Sequence, residues 1–122
     1  MSQMTVLDLS NNSLTKLDDT IFSGNPKLQK VTLDGNNFET LPNFTLANKN
    51  PFQIYTFSCK NCSLRVINKS TFAKMPAIFR LNLGYNNFTF VQNMFDYIWS
   101  LSMMDISYNN IQILDSGALD CN

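Results

Sequence analysis

Histidine is absent from this sequence, and the chain carries only three cysteines and one tryptophan. The missing imidazole removes the commonest general base, the usual zinc ligand and every catalytic triad that depends on it. The sequence also offers no paired carboxylate site. The glycines in "LDGNNF" and "LGYNNF" stand alone and do not form a phosphate-binding loop. We therefore predict that the chain is not an enzyme and holds neither a cofactor nor a metal.

Net charge and long apolar runs are missing as well. Lys and Arg together number 9, as do Asp and Glu, so the formal net charge is zero. We therefore expect no general attraction to nucleic acid. No run approaches the roughly 18 apolar residues of a membrane span, so we expect no membrane insertion of this segment. Acidic residues are absent between Glu39 and Asp96, where every charge is basic: Lys49, Lys60, Arg65, Lys69, Lys74 and Arg80.

What the sequence does contain is an internal repeat. Five segments align as apolar-x-x-apolar-x-apolar-x-x-(Asn/Cys)-x-apolar-x-x-apolar, and they begin near residues 4, 28, 54, 78 and 101. The ninth position of each segment holds one residue of the set Asn12, Asn36, Cys62, Asn86 and Asn109. Alternation in the first half of each segment predicts a strand with one buried face. A single such strand cannot bury its apolar side, so the copies are expected to stack into a parallel sheet.

The ninth position is polar for a physical reason. A carboxamide both donates and accepts hydrogen bonds, so a stacked row of Asn side chains can bond the backbone where each strand turns into a loop. We predict that this row is a structural ladder. In the later part of each repeat, Phe22, Phe72 and Phe95 recur at one place, which Leu46 takes in the longer second repeat. We expect a bulging loop there.

This pattern resembles the leucine-rich repeat family, whose motif is L-x-x-L-x-L-x-x-(N/C)-x-L, in its extracellular type of about 24 residues. The resemblance implies an α/β-type solenoid of about five repeats. It is a right-handed coil with a short parallel β-sheet on the concave face and loops or short helical turns on the convex face. Residues 1–122 are read as a single array. No cap is recognisable, and the start "MSQMTVLDLS" has no signal-peptide features, so we expect a fragment whose uncapped ends self-associate.

Cys59 and Cys62 have the Cys-x-x-Cys spacing of zinc sites and thiol–disulfide enzymes. In the repeat register Cys59 takes an inward core position and Cys62 takes a ladder position. A zinc site needs two more ligands nearby, and Cys121 lies two repeats away. We predict that both residues are buried and bind no metal, with an internal disulfide as the main alternative. Cys121 is left to pair with a cysteine beyond this segment or to remain a free thiol.

A mild excess of N-glycosylation sequons, combined with the resemblance to extracellular-type repeats, favours a secreted glycoprotein or an ectodomain over a cytoplasmic protein. Five sequons are present, against roughly three expected by chance from the Asn, Ser and Thr content, and they begin at Asn11, Asn43, Asn61, Asn68 and Asn87.

The concave face is the expected binding surface, because Tyr and Arg dominate interface hot spots. The register predicts one contiguous partner-binding patch there, formed by Lys30, Tyr55, Lys60, Phe79, Arg80, Tyr85, Met103 and Tyr108. The resemblance implies a recognition module for a protein or peptide, as part of a receptor ectodomain or secreted protein. The alternative is a structural spacer or assembly module without a ligand of its own, whereas the absences described above argue against an enzyme.

Overall fold

The computed structural model of the protein describes residues 3–45, 51–91, 95, 98–114 and 116–117. Its centre is a five-stranded parallel sheet in the order β1-β2-β3-β4-β6, as the repeats predict. The strands are β1 (Val6–Asp8), β2 (Lys30–Thr32), β3 (Thr56–Ser58), β4 (Arg80–Asn82) and β6 (Met103–Asp105). Two shorter strands, β5 (Phe90–Val91) and β7 (Ile113–Leu114), pair with each other in a second parallel sheet.

Equivalent repeat positions pair across the sheet, so Val31 lies opposite Leu7 and Phe57 lies opposite Val31. The pairing continues past each strand into the following turn. The backbone N–H of Leu9 donates to the Thr32 carbonyl at 2.9 Å, and Leu83 donates to the Asp105 carbonyl at 2.7 Å. These bonds satisfy backbone groups that a lone repeat would leave open, which is why the repeats depend on one another.

The core runs the length of the solenoid as a stack of inward side chains. Leu33, Cys59 and Leu83 each come directly after a strand, at equivalent repeat positions, and are fully buried. Phe22, Phe72 and Phe95 are buried as well. Phe44 connects this aromatic stack in the second repeat, because its ring centroid lies 4.9 Å from Phe22 and 6.2 Å from Phe57. Leu46, predicted for this place, lies outside the described residues, as does the middle of the expected bulging loop.

The convex side consists of loops and turns, and the described part of the chain contains no helix. Its turns are closed by bonds from residue i to residue i−3. Ser23 donates to the Thr20 carbonyl at 2.9 Å, and Met75 donates to the Phe72 carbonyl at 2.9 Å. Asp18 and Asn68 begin these turns by accepting the backbone N–H two residues later, each at 2.9 Å. No helix among the described residues is long and apolar enough to cross a membrane.

The outer repeats are less well covered than the central ones. Met4, Leu7 and Leu9 at one end, with Ile106 and Ile111 at the other, are only partly buried, and Leu114 is exposed. The expected exposure of these apolar residues is therefore partial at most of them.

Candidate functional site

The concave face carries the predicted binding residues along two edges and a floor. Lys30, Arg80 and Met103 lie on the floor, at the first residues of β2, β4 and β6, and all three are exposed. Tyr55 and Phe79 lie at the edge where strands begin, and they are 39% and 40% exposed. Tyr85, Tyr108 and Lys60 lie in the turns where strands end. Phe79 and Tyr85 therefore lie at opposite ends of the same strand, β4, with the floor between them. That all these residues form one contiguous patch stays a prediction.

The second edge is formed by a stacked pair of tyrosines. The rings of Tyr85 and Tyr108 are 4.3 Å apart between centroids and only 10° from parallel. The Lys60 ammonium lies 5.3 Å from the centre of the Tyr85 ring, within cation–π distance. Tyr85 is 47% exposed and Tyr108 is 72% exposed, so a broad aromatic surface remains open to solvent.

The tyrosine pair belongs to a row of residues with left-handed backbone, here called the loop row. The loop row is the eighth position of each repeat, where φ lies between 55° and 75° at Asn11, Gly35, Asn61, Tyr85 and Tyr108. Gly and Asn are the residues that accept this conformation most readily. At Gly35, where φ is 75°, a Cβ would also meet the Asn11 carboxamide, which would have to move aside. Tyrosine is out of place at such positions and carries a strain of about 1–2 kcal/mol at each.

Next to the loop row runs the ladder row: Asn12, Asn36, Cys62, Asn86 and Asn109. The Asn86 Oδ1 accepts the backbone N–H groups of Cys62 at 2.9 Å and Leu64 at 3.0 Å, both in the preceding repeat. Its Nδ2 donates to the carbonyls of Cys59 at 2.9 Å, Leu83 at 2.9 Å and Gly84 at 3.1 Å. One carboxamide thus bonds the turns of two repeats.

Cys62 fills its place in the ladder row with a thiol. Its Sγ donates to the Leu33 carbonyl at 3.1 Å, as a ladder Asn donates through Nδ2. The acceptor is a backbone group instead of a side chain, since the Phe38 N–H donates at 3.0 Å to the backbone carbonyl of Cys62. Cys62 therefore supplies the side-chain donor of a ladder Asn but not its side-chain acceptor.

Both thiols of the Cys-x-x-Cys motif are free and fully buried, in agreement with the predicted burial. The internal disulfide is not formed in this structure. Burial raises the pKa of the Cys59 thiol, whereas the hydrogen bond from Cys59 lowers the pKa of Cys62. Because neither sulfur reaches the surface, a substrate disulfide cannot approach them. Within the described residues no three His, Cys, Asp or Glu side chains cluster as metal ligands do. Cys121 lies outside the described residues.

The floor of the concave face holds two shallow grooves that share Arg80 and Asn82. One has a volume of about 200 Å³ and extends to Lys30 across β3. The other, of about 270 Å³, lies between β4 and β6 and includes Met103 and Asp105. The Arg80 Nη2 donates to the Met103 Sδ at 3.5 Å. Asn82 was not among the predicted binding residues, although the register already placed it on this face.

Carboxylates occupy the sides of the floor. Asp8 accepts the hydroxyl of Ser10 at 2.6 Å and its N–H at 2.9 Å, which lowers the pKa of Asp8 with a smaller contribution from Lys30. Asp105 accepts the hydroxyl and N–H of Ser107 at 2.5 and 2.8 Å, and its pKa is lowered in the same way, with Lys60 contributing. Both carboxylates are therefore ionised at neutral pH and add negative charge to the outer strands.

The five sequon asparagines, Asn11, Asn43, Asn61, Asn68 and Asn87, all lie exposed. Asn11 and Asn61 belong to the loop row, on the same edge as the tyrosine stack. Asn68 begins a convex turn, since its Oδ1 accepts the Ser70 N–H at 2.9 Å.

The sequence pattern of the leucine rich repeat family matches residues 1–48 and 53–111. The chain belongs to this family. Receptor like protein 21 of Arabidopsis thaliana is 29% identical over 110 residues, which are 88% of this chain and 11% of that protein. The human leucine-rich repeats and immunoglobulin-like domains protein 1 is 27% identical over 115 residues, or 93% of this chain and 10% of that protein. The chain thus spans about a tenth of the length of the curated relatives it matches.

Solved structures with the same fold include two complexes. The TLR13–ssRNA13 complex matches 98% of this chain and 17% of that chain, with a TM-score of 0.89 and 24% identity. The Drosophila Toll–Spatzle complex matches 95% of this chain and 15% of that chain, with a TM-score of 0.84 and 23% identity. These matches establish the solenoid fold alone. They give no support to the expectation that nucleic acid is excluded, because one of the matched proteins is in complex with ssRNA13.

Proposed function

We propose that this chain is a non-catalytic recognition module that binds a protein or peptide through its concave face. We place it in an extracellular leucine-rich repeat protein or a receptor ectodomain. The observation that carries the proposal is the exposed stack of Tyr85 and Tyr108 on left-handed backbone. Proteins of this family and receptor-like relatives are generally non-enzymatic, and the name of one matched relative is that of a receptor-like protein.

The tyrosine stack contributes no clear net free energy to the stability of the fold. Backbone strain of about 1–2 kcal/mol at each residue opposes a stacking gain of about 0.5–1.5 kcal/mol for the pair. Asn or Gly in the same loop row avoids the strain, as Asn11, Gly35 and Asn61 show. Retaining two exposed aromatic rings at this cost favours a binding role, since tyrosine buries much area in an interface while few torsions are ordered.

The test is a selection of peptides from a random displayed library on the wild-type protein. We expect Tyr85→Asn/Tyr108→Asn to weaken the selected peptides by about 1–4 kcal/mol, as hot-spot residues do. Both substitutions place a residue that the loop row already accepts, so folding is expected to survive.

Trp99→Ala is the matched control for this experiment. Trp99 is 67% exposed, close to the 72% of Tyr108, but it lies in the return loop outside the strands. The control should retain peptide affinity. If affinity fell in the Trp99 variant and survived in the tyrosine variant, the binding surface would lie away from the concave face.

The extracellular placement rests on the exposed sequons. We propose that this protein enters the secretory pathway and is glycosylated at some or all of Asn11, Asn43, Asn61, Asn68 and Asn87. Expression in a secreting eukaryotic host should give a product whose mass falls on treatment with peptide N-glycosidase. Asn→Gln substitution at each sequon identifies the occupied sites. An unmodified product from the secretory pathway would remove this support for an extracellular location.

We propose further that residues 1–122 form one uninterrupted array whose outer repeats self-associate. Met4, Leu7 and Leu9 are only partly buried at one end, and Ile113 and Leu114 are 57% and 55% exposed at the other. Exposed apolar surface of this kind promotes association. Light scattering at increasing protein concentration should show a rise in mean mass, whereas a monomer at all concentrations would contradict the proposal.

A further inference from the structure

Three residues in register form the middle of the concave floor. Lys30 pairs with Thr56 in the neighbouring strand, and Thr56 pairs with Arg80 in the strand beyond. The two cationic residues are therefore separated by two strand spacings, about 10 Å between Cα atoms. Both side chains are long enough to converge on one anionic group above β3.

The groove between them suits a single carboxylate. Its volume is about 200 Å³, and none of its lining residues is acidic: Lys30, Val31, Thr32, Thr56, Phe57, Ser58, Arg80 and Asn82. Within the described residues, Arg80 donates to the sulfur of Met103 and forms no salt bridge. The covered Thr56 Oγ1 has no hydrogen-bond partner there either. A buried hydroxyl without a partner is uncommon in folded proteins, and rotation of the Thr56 side chain would turn this hydroxyl toward an acceptor in the groove.

We propose that this groove receives a Glu or Asp side chain of a peptide partner, held between the Lys30 ammonium and the Arg80 guanidinium. This inference rests on the proposed function and adds the chemistry of the ligand. The planar guanidinium can hold both carboxylate oxygens, while the ammonium acts as a compact second charge.

The surrounding charges favour a peptide over a polyanion. Asp8 lies in the strand next to Lys30, and Asp105 lies in the strand next to Arg80. Asp34 follows β2, where it accepts the Ser58 hydroxyl at 2.6 Å and the Lys60 N–H at 2.9 Å. Within the five strands the order of charges is negative, positive, neutral, positive, negative, while Asp34 and Lys60 add one charge of each sign in the turns after β2 and β3. A strand of phosphates would meet the outer carboxylates, whereas one acidic residue with neutral or basic neighbours would not.

Three peptide libraries of one length, identical except for a fixed central residue, test this inference. The central residue is Glu, Gln or Lys, and the other positions are random. We expect the Glu library to be retained on wild-type protein about tenfold or more above the other two, the range for a hydrogen-bonded charge pair. An oligouridylate, as a polyanion without a carboxylate, is measured beside them.

The variants Lys30→Gln, Arg80→Gln and Thr56→Val identify the groove. Each cationic variant should reduce the Glu preference by about tenfold, and Thr56→Val, which keeps the shape of the side chain, should reduce it by a few-fold. Lys74→Gln is the matched control, because Lys74 is an exposed cation on a convex turn. It should leave the preference unchanged.

The possible results separate the inference from the proposed function. Equal retention of all three libraries, lost in the Tyr85→Asn/Tyr108→Asn variant, would overturn the carboxylate site and leave concave-face recognition standing. Failure of every library to bind would overturn both. Tighter binding of oligouridylate than of the Glu library, weakened by Lys30→Gln and Arg80→Gln, would replace the peptide with a nucleic acid.

Discussion

The ladder row and the loop row run side by side through the same turns, yet they have opposite characters. Asn36 and Asn86 in the ladder row are 4% and 5% exposed, and their carboxamides bond two repeats each. Their neighbours in the loop row face outward on left-handed backbone and vary from Gly to Tyr. Adjacent residues in one turn therefore differ in role: the ladder row bonds the backbone of neighbouring repeats, whereas the role that we propose for the exposed tyrosines of the loop row is recognition.

Removing a central ladder carboxamide should have the largest effect. Asn86→Ala leaves the backbone N–H groups of Cys62 and Leu64 without an acceptor inside the protein. Because unsatisfied buried polar groups cost about 1–3 kcal/mol each, we expect a loss of about 3 kcal/mol in the free energy of unfolding, measured by urea denaturation. Asn87→Ala, at the exposed neighbouring position, should change it by less than about 0.5 kcal/mol. Equal losses in the two variants would abolish the distinction drawn for the ladder row.

Cys62 allows the ladder row to be repaired as well as broken. Cys62→Ala removes the thiol that donates to the Leu33 carbonyl and should cost about 1–2 kcal/mol of unfolding free energy. Cys62→Asn restores the residue of the other four repeats and should be tolerated within about 1 kcal/mol. A loss above that from Cys62→Asn would show that the thiol is required. Stoichiometric zinc in the purified protein, lost in Cys62→Ser, would contradict the prediction that no metal is bound here.

Substitution of the loop-row tyrosines should affect binding more than stability, the reverse of the effect expected for the ladder row. Tyr85→Asn and Tyr108→Asn each remove a stacked ring and relieve backbone strain, two opposed terms of about 1 kcal/mol. We expect the free energy of unfolding to change by less than about 1 kcal/mol while peptide affinity falls. A large loss of stability without a loss of affinity would assign these tyrosines to folding.

Lowering the pH should produce the smallest effect. Asp105 has a lowered pKa in the folded protein, because Ser107 donates two hydrogen bonds to it. A carboxylate of this kind stabilises the fold above its unfolded pKa of about 3.9, and the stabilisation is lost as the pH falls through the folded pKa. Asp105 is exposed, so the loss is expected to be slight. The melting temperature of Asp105→Asn should therefore fall slightly less than that of the wild type between pH 5 and 3.

Much of the fold was predictable because each repeat has the same spacing of apolar residues. The apolar residues of each motif, together with Asn or Cys at its ninth position, predicted the parallel sheet. They also placed Leu33, Cys59 and Leu83 in the core of the solenoid. The contacts of Phe44 with the aromatic stack were beyond the motif, since the second repeat has an irregular length, and the prediction for Leu46 lies outside the described residues. There the side chain that fills the core depends on how the longer loop folds back, and repeat spacing does not encode this.

The candidate site was predictable as a set of residues but not as an arrangement. The register placed Arg80, Tyr85 and Tyr108 near the concave side, because alternation along a strand decides which face a side chain takes. It did not predict the 4.3 Å ring stack, or the grooves that combine Arg80 with Asn82 and Thr56. Those features depend on side-chain torsions and on packing between repeats, which are decided after the strands assemble.

The sequence by itself determined the repeat period, the buried positions and the ladder row. Each of the five repeats carries the same pattern of apolar residues and a hydrogen-bonding residue at its ninth position, which is Asn in four repeats and Cys in one. Only the tertiary structure decided that the rings of Tyr85 and Tyr108 stack and that Lys30, Thr56 and Arg80 line one groove. The physical reason is that edges and grooves exist only when neighbouring strands stand about 4.8 Å apart in register. A single repeat has neither edge nor groove, so its exposed residues form a continuous surface only when neighbouring repeats are stacked beside it.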